Sequence, residues 1–160
     1  MLRVSPRDLV CIESAEKQYY ALVLTRIVLF GGQVSFVFHQ KPLLDEDSRL
    51  IQSANQLPGF YACVDYIWAK REDRIQRLSN KNSIENFKPP GFKSHWGIGK
   101  DIFGWAIYSS DGEFMQRITK LNDTQKSFPY RARIDDTILA KRVDMQWTSD
   151  RSPFKPYEYV

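Results

Sequence analysis

The chain reads as an α+β protein dominated by β-structure, a curved antiparallel sheet or small barrel with one or two helices. Three observations carry that reading. The opening holds three runs rich in β-branched and aromatic residues, Leu9-Val-Cys-Ile-Glu13, Tyr19-Tyr-Ala-Leu-Val-Leu-Thr-Arg-Ile-Val-Leu-Phe30 and Val34-Ser-Phe-Val-Phe-His39. Later, Ile102-Phe-Gly-Trp-Ala-Ile-Tyr108 and Glu113-Phe-Met-Gln-Arg-Ile-Thr119 flank an Asp111-Gly112 pair. Two segments only, 69–78 and 136–143, carry helical signals. A length of 160 residues, 42% of them hydrophobic and 26% charged, fits one globular domain over 1–160 with a real core.

The first three runs are separated by Ala15-Glu16-Lys17-Gln18 and Gly31-Gly32-Gln33, so they form a meander of antiparallel strands. Lys41-Pro-Leu-Leu-Asp-Glu-Asp-Ser-Arg49 is a loop whose Asp45, Glu46 and Asp47 make a compact acidic cluster, and Leu57-Pro58-Gly59 marks a turn. Phe60 to Trp68 is a short apolar run, which periodicity alone leaves open between a strand and the buried start of a helix. In Ala69 to Leu78, Ile75 and Leu78 are spaced for one face of a helix among charges, with an end by Asn80.

Residues 81–100 hold Pro89, Pro90, Gly91, Gly97 and Gly99 around Phe92, His95 and Trp96, which predicts a long irregular connection. Loops of that length are often functional. The Asp111-Gly112 pair supplies the positive φ angles of a tight hairpin turn. Alternation along the preceding strand places Phe103, Trp105 and Ile107 on one face. Asp136 to Val143 is a helix or strand with Asp135 or Asp136 as N-cap, and the Pro-limited tail 152–160 reads as extended.

No catalytic signature accompanies this sheet. His39 and His95 have no carboxylate, cysteine or serine at a catalytic spacing. Cys11 and Cys63 sit inside apolar runs as core thiols with no neighbouring histidine to complete a zinc site. Gly97-Ile-Gly99-Lys100 fails both phosphate-loop spacings. Glu13, Glu16, Asp65, Asp111, Asp135 and Asp136 are accounted for by turns, caps and solvated faces. No cofactor, metal or enzymatic activity is expected. The longest apolar run is too short for a membrane span and no signal peptide is evident, so the expected location is the cytoplasm, with no membrane partner.

Charge is uneven. Between Lys70 and Lys100 stand eight basic residues, Arg71, Arg74 and Lys93 among them, against three acidic ones, a net +5, while the rest of the chain sums to −1. Interleaved with Phe87, Phe92 and Trp96, that segment has the residue types that hold phosphates and stack bases, so a nucleic-acid-binding β module is one reading.

The order Arg7-Asp8-Leu-Val-Cys-Ile, Tyr19-Tyr-Ala-Leu-Val-Leu, Phe36-Val-Phe, a Trp96-containing glycine loop and Trp105-Ala-Ile-Tyr resembles the immunity protein 26 family, with Arg7 standing where the family has glycine. The resemblance implies a small cytoplasmic bacterial protein that binds and neutralises a cognate toxin domain, a nuclease among the possibilities, without catalysis. Its partner-facing residues are then sought on loops, where recognition concentrates: Asp45, Glu46 and Asp47 in the acidic loop, Arg71 and Arg74 in the basic segment, and Lys93, His95 and Trp96 in the glycine-rich connection.

Overall fold

The computed structural model describes residues 3–27, 31–46, 50–52, 57–98 and 100–151. Nine strands and three helices occur among them. A mixed six-stranded sheet has the order β5 (Ile75–Ser79), β1 (Leu9–Ser14), β2 (Lys17–Ile27), β3 (Gly32–Phe38), β4 (Gly59–Val64), β9 (Arg133–Ile134). A second, antiparallel sheet of three strands runs β6 (Phe92–Ile98), β7 (Asp101–Tyr108), β8 (Phe114–Ile118). The helices are α1 (Ile67–Arg71), α2 (Asp123–Lys126) and α3 (Asp136–Asp144). Neither sheet closes on itself, so the small-barrel form of the expectation does not occur, and a third helix adds to the expected one or two.

The opening meander forms as its residues dictate. β1 and β2 pair antiparallel from Leu9↔Leu22 to Ser14↔Lys17, and β2 pairs with β3 from Tyr20↔Phe38 to Ile27↔Gly32. Residues 28–30 of the expected second strand lie outside the described residues. The runs are continuous rather than alternating because both faces of this sheet are covered, which removes the need for a polar side. Val10, Ile12, Tyr19, Ala21, Val23, Phe60 and Val64 pack with Leu139, Ala140 and Trp147 on the α3 side. Leu9, Cys11, Tyr20, Leu22, Phe38 and Cys63 pack on the other face with Phe87, Phe92, Ala106 and Tyr108, which belong to the small sheet and its approach. Neither cysteine is in a disulfide; both are buried, and burial raises each thiol, Cys63 to about 11.

Two expected elements change identity. The helix over 69–78 stops at Arg71, and Asp73 turns the chain at φ 54°. Ile75 to Ser79 then become β5, paired antiparallel with β1 through Ile12↔Ile75 and Val10↔Arg77. The open edge of β1 outweighs local helical spacing, and Ile75 and Leu78 pack into clusters on opposite faces of the sheet. The apolar run 60–68 divides into β4 and the start of α1. Likewise 92–98, expected to be irregular, is strand β6, held by β7 on one side and bridged to Tyr130 through Lys93 on the other.

Of the helix and strand left open for 136–143 the chain adopts the helix, α3, and of the two candidate caps it uses Asp135, whose carboxylate accepts the Ile138 N–H at 2.8 Å. The hairpin at 109–113 departs in detail, because Gly112 alone of the Asp-Gly pair adopts positive φ, at 84°. The loop is a turn followed by a left-handed residue, closed by Ser109 N–H donating to Glu113 O at 2.8 Å. Tail residues 152–160 lie outside the described residues. Among the described residues no helix is long and apolar enough to cross a membrane.

Candidate functional site

Ladder irregularities shape the small sheet. In β6 and β7, Trp96 pairs with Gly104 and Gly97 with Ile102, leaving Phe103 as an inserted residue. In β7 and β8, Ile107 pairs with Gln116 and Tyr108 with Phe114, leaving Met115 inserted. Bulges re-aim side chains and concentrate beside functional sites. Gly104 makes the first bulge possible: at φ 157° its backbone passes so close to β8 that an added Cβ would lie 2.2 Å from Ile118 O.

The consequence corrects the expected face. Trp105 and Ile107 pack inward, Ile107 against Leu121 and Phe128, whereas Phe103 turns to the opposite side and meets Trp96 edge-on at 5.1 Å. Phe103, Trp96, Tyr108, Phe114, Ser94 and Arg117 thereby line an open cleft of about 490 Å³. Phe103 is 49% exposed, Phe114 56% and Met115 61%, with Ile98 and Ile102 also exposed nearby in the sequence. Large apolar side chains on three neighbouring strands, left in water, are uncommon for a surface without a partner.

Arg117 is the one charged residue in that lining among the described residues. Its guanidinium lies 5.1 Å from the Trp96 ring centroid and 5.9 Å from that of Phe114. No carboxylate among the described residues pairs with it. Tyr108, deeper in the cleft, receives a hydrogen bond from Arg131 at 2.7 Å. The Trp96 indole Nε1 is buried without a hydrogen-bond partner among the described residues.

Of the eight residues expected to face a partner, only some are surface groups. Trp96 is in the cleft. His95, the preceding residue of β6, also lines the cleft; its ring lies tilted against Trp105 with centroids 4.3 Å apart, and burial together with the Lys93 ammonium lowers its imidazole pKa. Lys93 is a correction: it is fully buried and cannot meet a partner. Its ammonium donates to Lys126 O and, at 2.7 Å, to Ser149 O, and it sits 4.7 Å from the Tyr130 ring centroid. Arg74 is only partly exposed and is tied up within the chain, donating to Glu72 at 2.6 Å, to Glu13 O at 2.9 Å and to the buried Asp136 carboxylate.

Arg71 is exposed and lies over Trp68, 5.1 Å from its centroid, on α1. Asp45 and Glu46 line a separate cleft with Gln76, Arg77 and Leu78, so the structure does not join the acidic loop to Trp96 in one site. Asp47 lies outside the described residues, as does Gly99.

The basic segment does not form a stacking platform, since Phe87 and Phe92 are core residues. The cleft residues Phe103, Phe114 and Arg117 escaped sequence reasoning because strict alternation placed the aromatics inward. Gly104, in mid-strand, was the available signal of a bulge. No protein-family model, curated protein or solved structure matches the chain.

Proposed function

We propose that the chain is a cytoplasmic immunity protein, which binds and neutralises a cognate toxin domain by occupying its surface, without catalysis. The observation that carries the reading is the bulge-built aromatic cleft on the small sheet. Aromatic residues and arginine dominate the energetics of protein interfaces, and here Trp96, Phe103, Phe114 and Arg117 are presented together on strands whose other face is anchored in the core. Arg7 adds to the resemblance described above: it holds φ 74°, a conformation that favours glycine, at the position where the immunity protein 26 family has one. The nucleic-acid reading has less support, because two of its three aromatic residues and Lys93 are inside the protein.

Co-expression with the toxin domain encoded beside it tests the proposal. The wild-type chain is expected to restore growth and to co-purify with the toxin. A Phe103→Ser, Phe114→Ser double variant, both sites being about half exposed, is expected to keep its melting temperature within a few degrees and to lose protection. Unprotected growth with the wild type overturns the function, and full protection by the double variant moves the interface elsewhere.

A further inference from the structure

We infer that the partner segment seated in the aromatic cleft is an acidic one, an extended stretch with an Asp or Glu next to an aromatic residue, and that Arg117 is the receptor for its carboxylate. The inference rests on the proposed protein-binding role and adds the chemistry of what is bound.

Charge complementarity is the argument. The cleft offers rings on several sides, Trp96, Phe103, Tyr108 and Phe114, which suit one aromatic side chain of a partner. Among the described residues Arg117 is its only charged lining residue. A guanidinium carries five donors in a planar fork matched to a carboxylate. Here that fork has no carboxylate partner and forms no hydrogen bond with any described residue, while its central carbon lies 5.1 Å from the Trp96 centroid and 5.9 Å from that of Phe114. A cation held beside rings that take none of its hydrogen bonds keeps its donors available, and a carboxylate arriving at the cleft mouth would meet a pre-positioned partner with little side-chain entropy left to lose. An incoming lysine or arginine would meet a like charge, so the same residue rejects basic segments.

Three blocked hexapeptides differing at one position, Ac-Ser-Glu-Tyr-Ser-Thr-Ser-amide and its Gln and Lys counterparts, separate the possibilities. Binding is followed through the ¹H–¹⁵N signals of the Trp96 indole and the Arg117 side chain. The Glu peptide is expected to bind at least tenfold more tightly than the Gln peptide to the wild type. The preference is expected to vanish in Arg117→Gln, and Arg117→Glu is expected to prefer a Lys peptide over the Glu one. Circular dichroism and melting of both variants should match the wild type, since the side chain is exposed.

Equal binding of the Glu and Gln peptides overturns the inference, as does a Glu preference that survives in Arg117→Gln, or the absence of any shift at Trp96 up to millimolar peptide. None of these outcomes touches growth protection, which tests the binding role separately. Self-association of the chain through the cleft, seen as a concentration-dependent rise in mass abolished by Phe114→Ser, would also overturn it.

Discussion

Lys93 shows most plainly how one residue's neighbours decide its role. An ammonium with no solvent exposure, held by carbonyl oxygens and rings, suffers the loss of water without a counter-charge within ion-pair distance among the described residues. Burial accordingly lowers its pKa from 10.5 to about 8, with Asp150 opposing the shift. In the window from about 8 to 10.5 the unfolded chain holds this proton more firmly than the folded one. The contribution of Lys93 to stability therefore improves as pH rises through that window, and its burial cost is fully present below pH 8. Thiols act in the opposite direction, because Cys63 is raised to about 11 and the unfolded chain loses that proton first. The test is hence a comparison: between pH 7 and 9.5 the melting temperature of the wild type should rise relative to that of Lys93→Met. Parallel curves would show that the ammonium is already compensated. Nothing in the spacing of Lys93 distinguishes it from Lys88 or Lys100; the contact that buries it comes from Pro129 to Arg131, remote in sequence.

Turns and ladders make the same point at the scale of elements. The β1–β2 hairpin closes through Ala15 at φ 49° and Glu16 at φ 63°, two side chains held in the left-handed region that Asn-Gly accepts at lower cost. Replacing the pair by Asn-Gly should raise stability by about 1 kcal/mol, measured as a shift of the urea midpoint with unchanged slope. A lower midpoint would mean that Ala15 or Glu16 contributes a contact that outweighs the strain. The hairpin around Gly112, the meander and the α3 cap were all legible, because each depends on neighbours within a few positions. β5 and β6 were not. Helical spacing of Ile75 and Leu78 was a local signal overruled by the open edge of β1, and the prolines and glycines before Phe92 masked a strand whose hydrogen bonds come from β7 and from Pro129 to Arg131. The candidate site was legible only at His95 and Trp96, since Phe103 and Phe114 are aimed by bulges, and a bulge is a property of two strands together.

For the whole molecule, the net charge of +4 is a poor guide to what it binds. Much of the basic excess of 70–100 is engaged internally: Arg74 with Asp136 and Glu72, Lys93 with carbonyls, and Arg77 at 3.7 Å from the buried Asp8. Affinity for a single-stranded oligonucleotide at physiological salt is therefore expected to be no tighter than the roughly 10⁻⁴–10⁻⁶ M of non-specific binding. A dissociation constant below about 10⁻⁷ M with a steep salt slope would restore the nucleic-acid reading.

The parallel pairing of β9 with β4 carries a consequence for synthesis. All the other strands of the large sheet lie within the first half of the chain, yet the one that covers the outer edge of β4 is Arg133–Ile134. While a ribosome makes this protein, five strands can assemble with Gly59 to Val64 still offering a bare ladder edge, and that edge stays open through the making of the entire small sheet. The nascent chain thus passes through a sticky stage whose length is set by translation speed. A message truncated before codon 133 would leave that stage permanent, and its product is expected to aggregate even though most of its core residues are present.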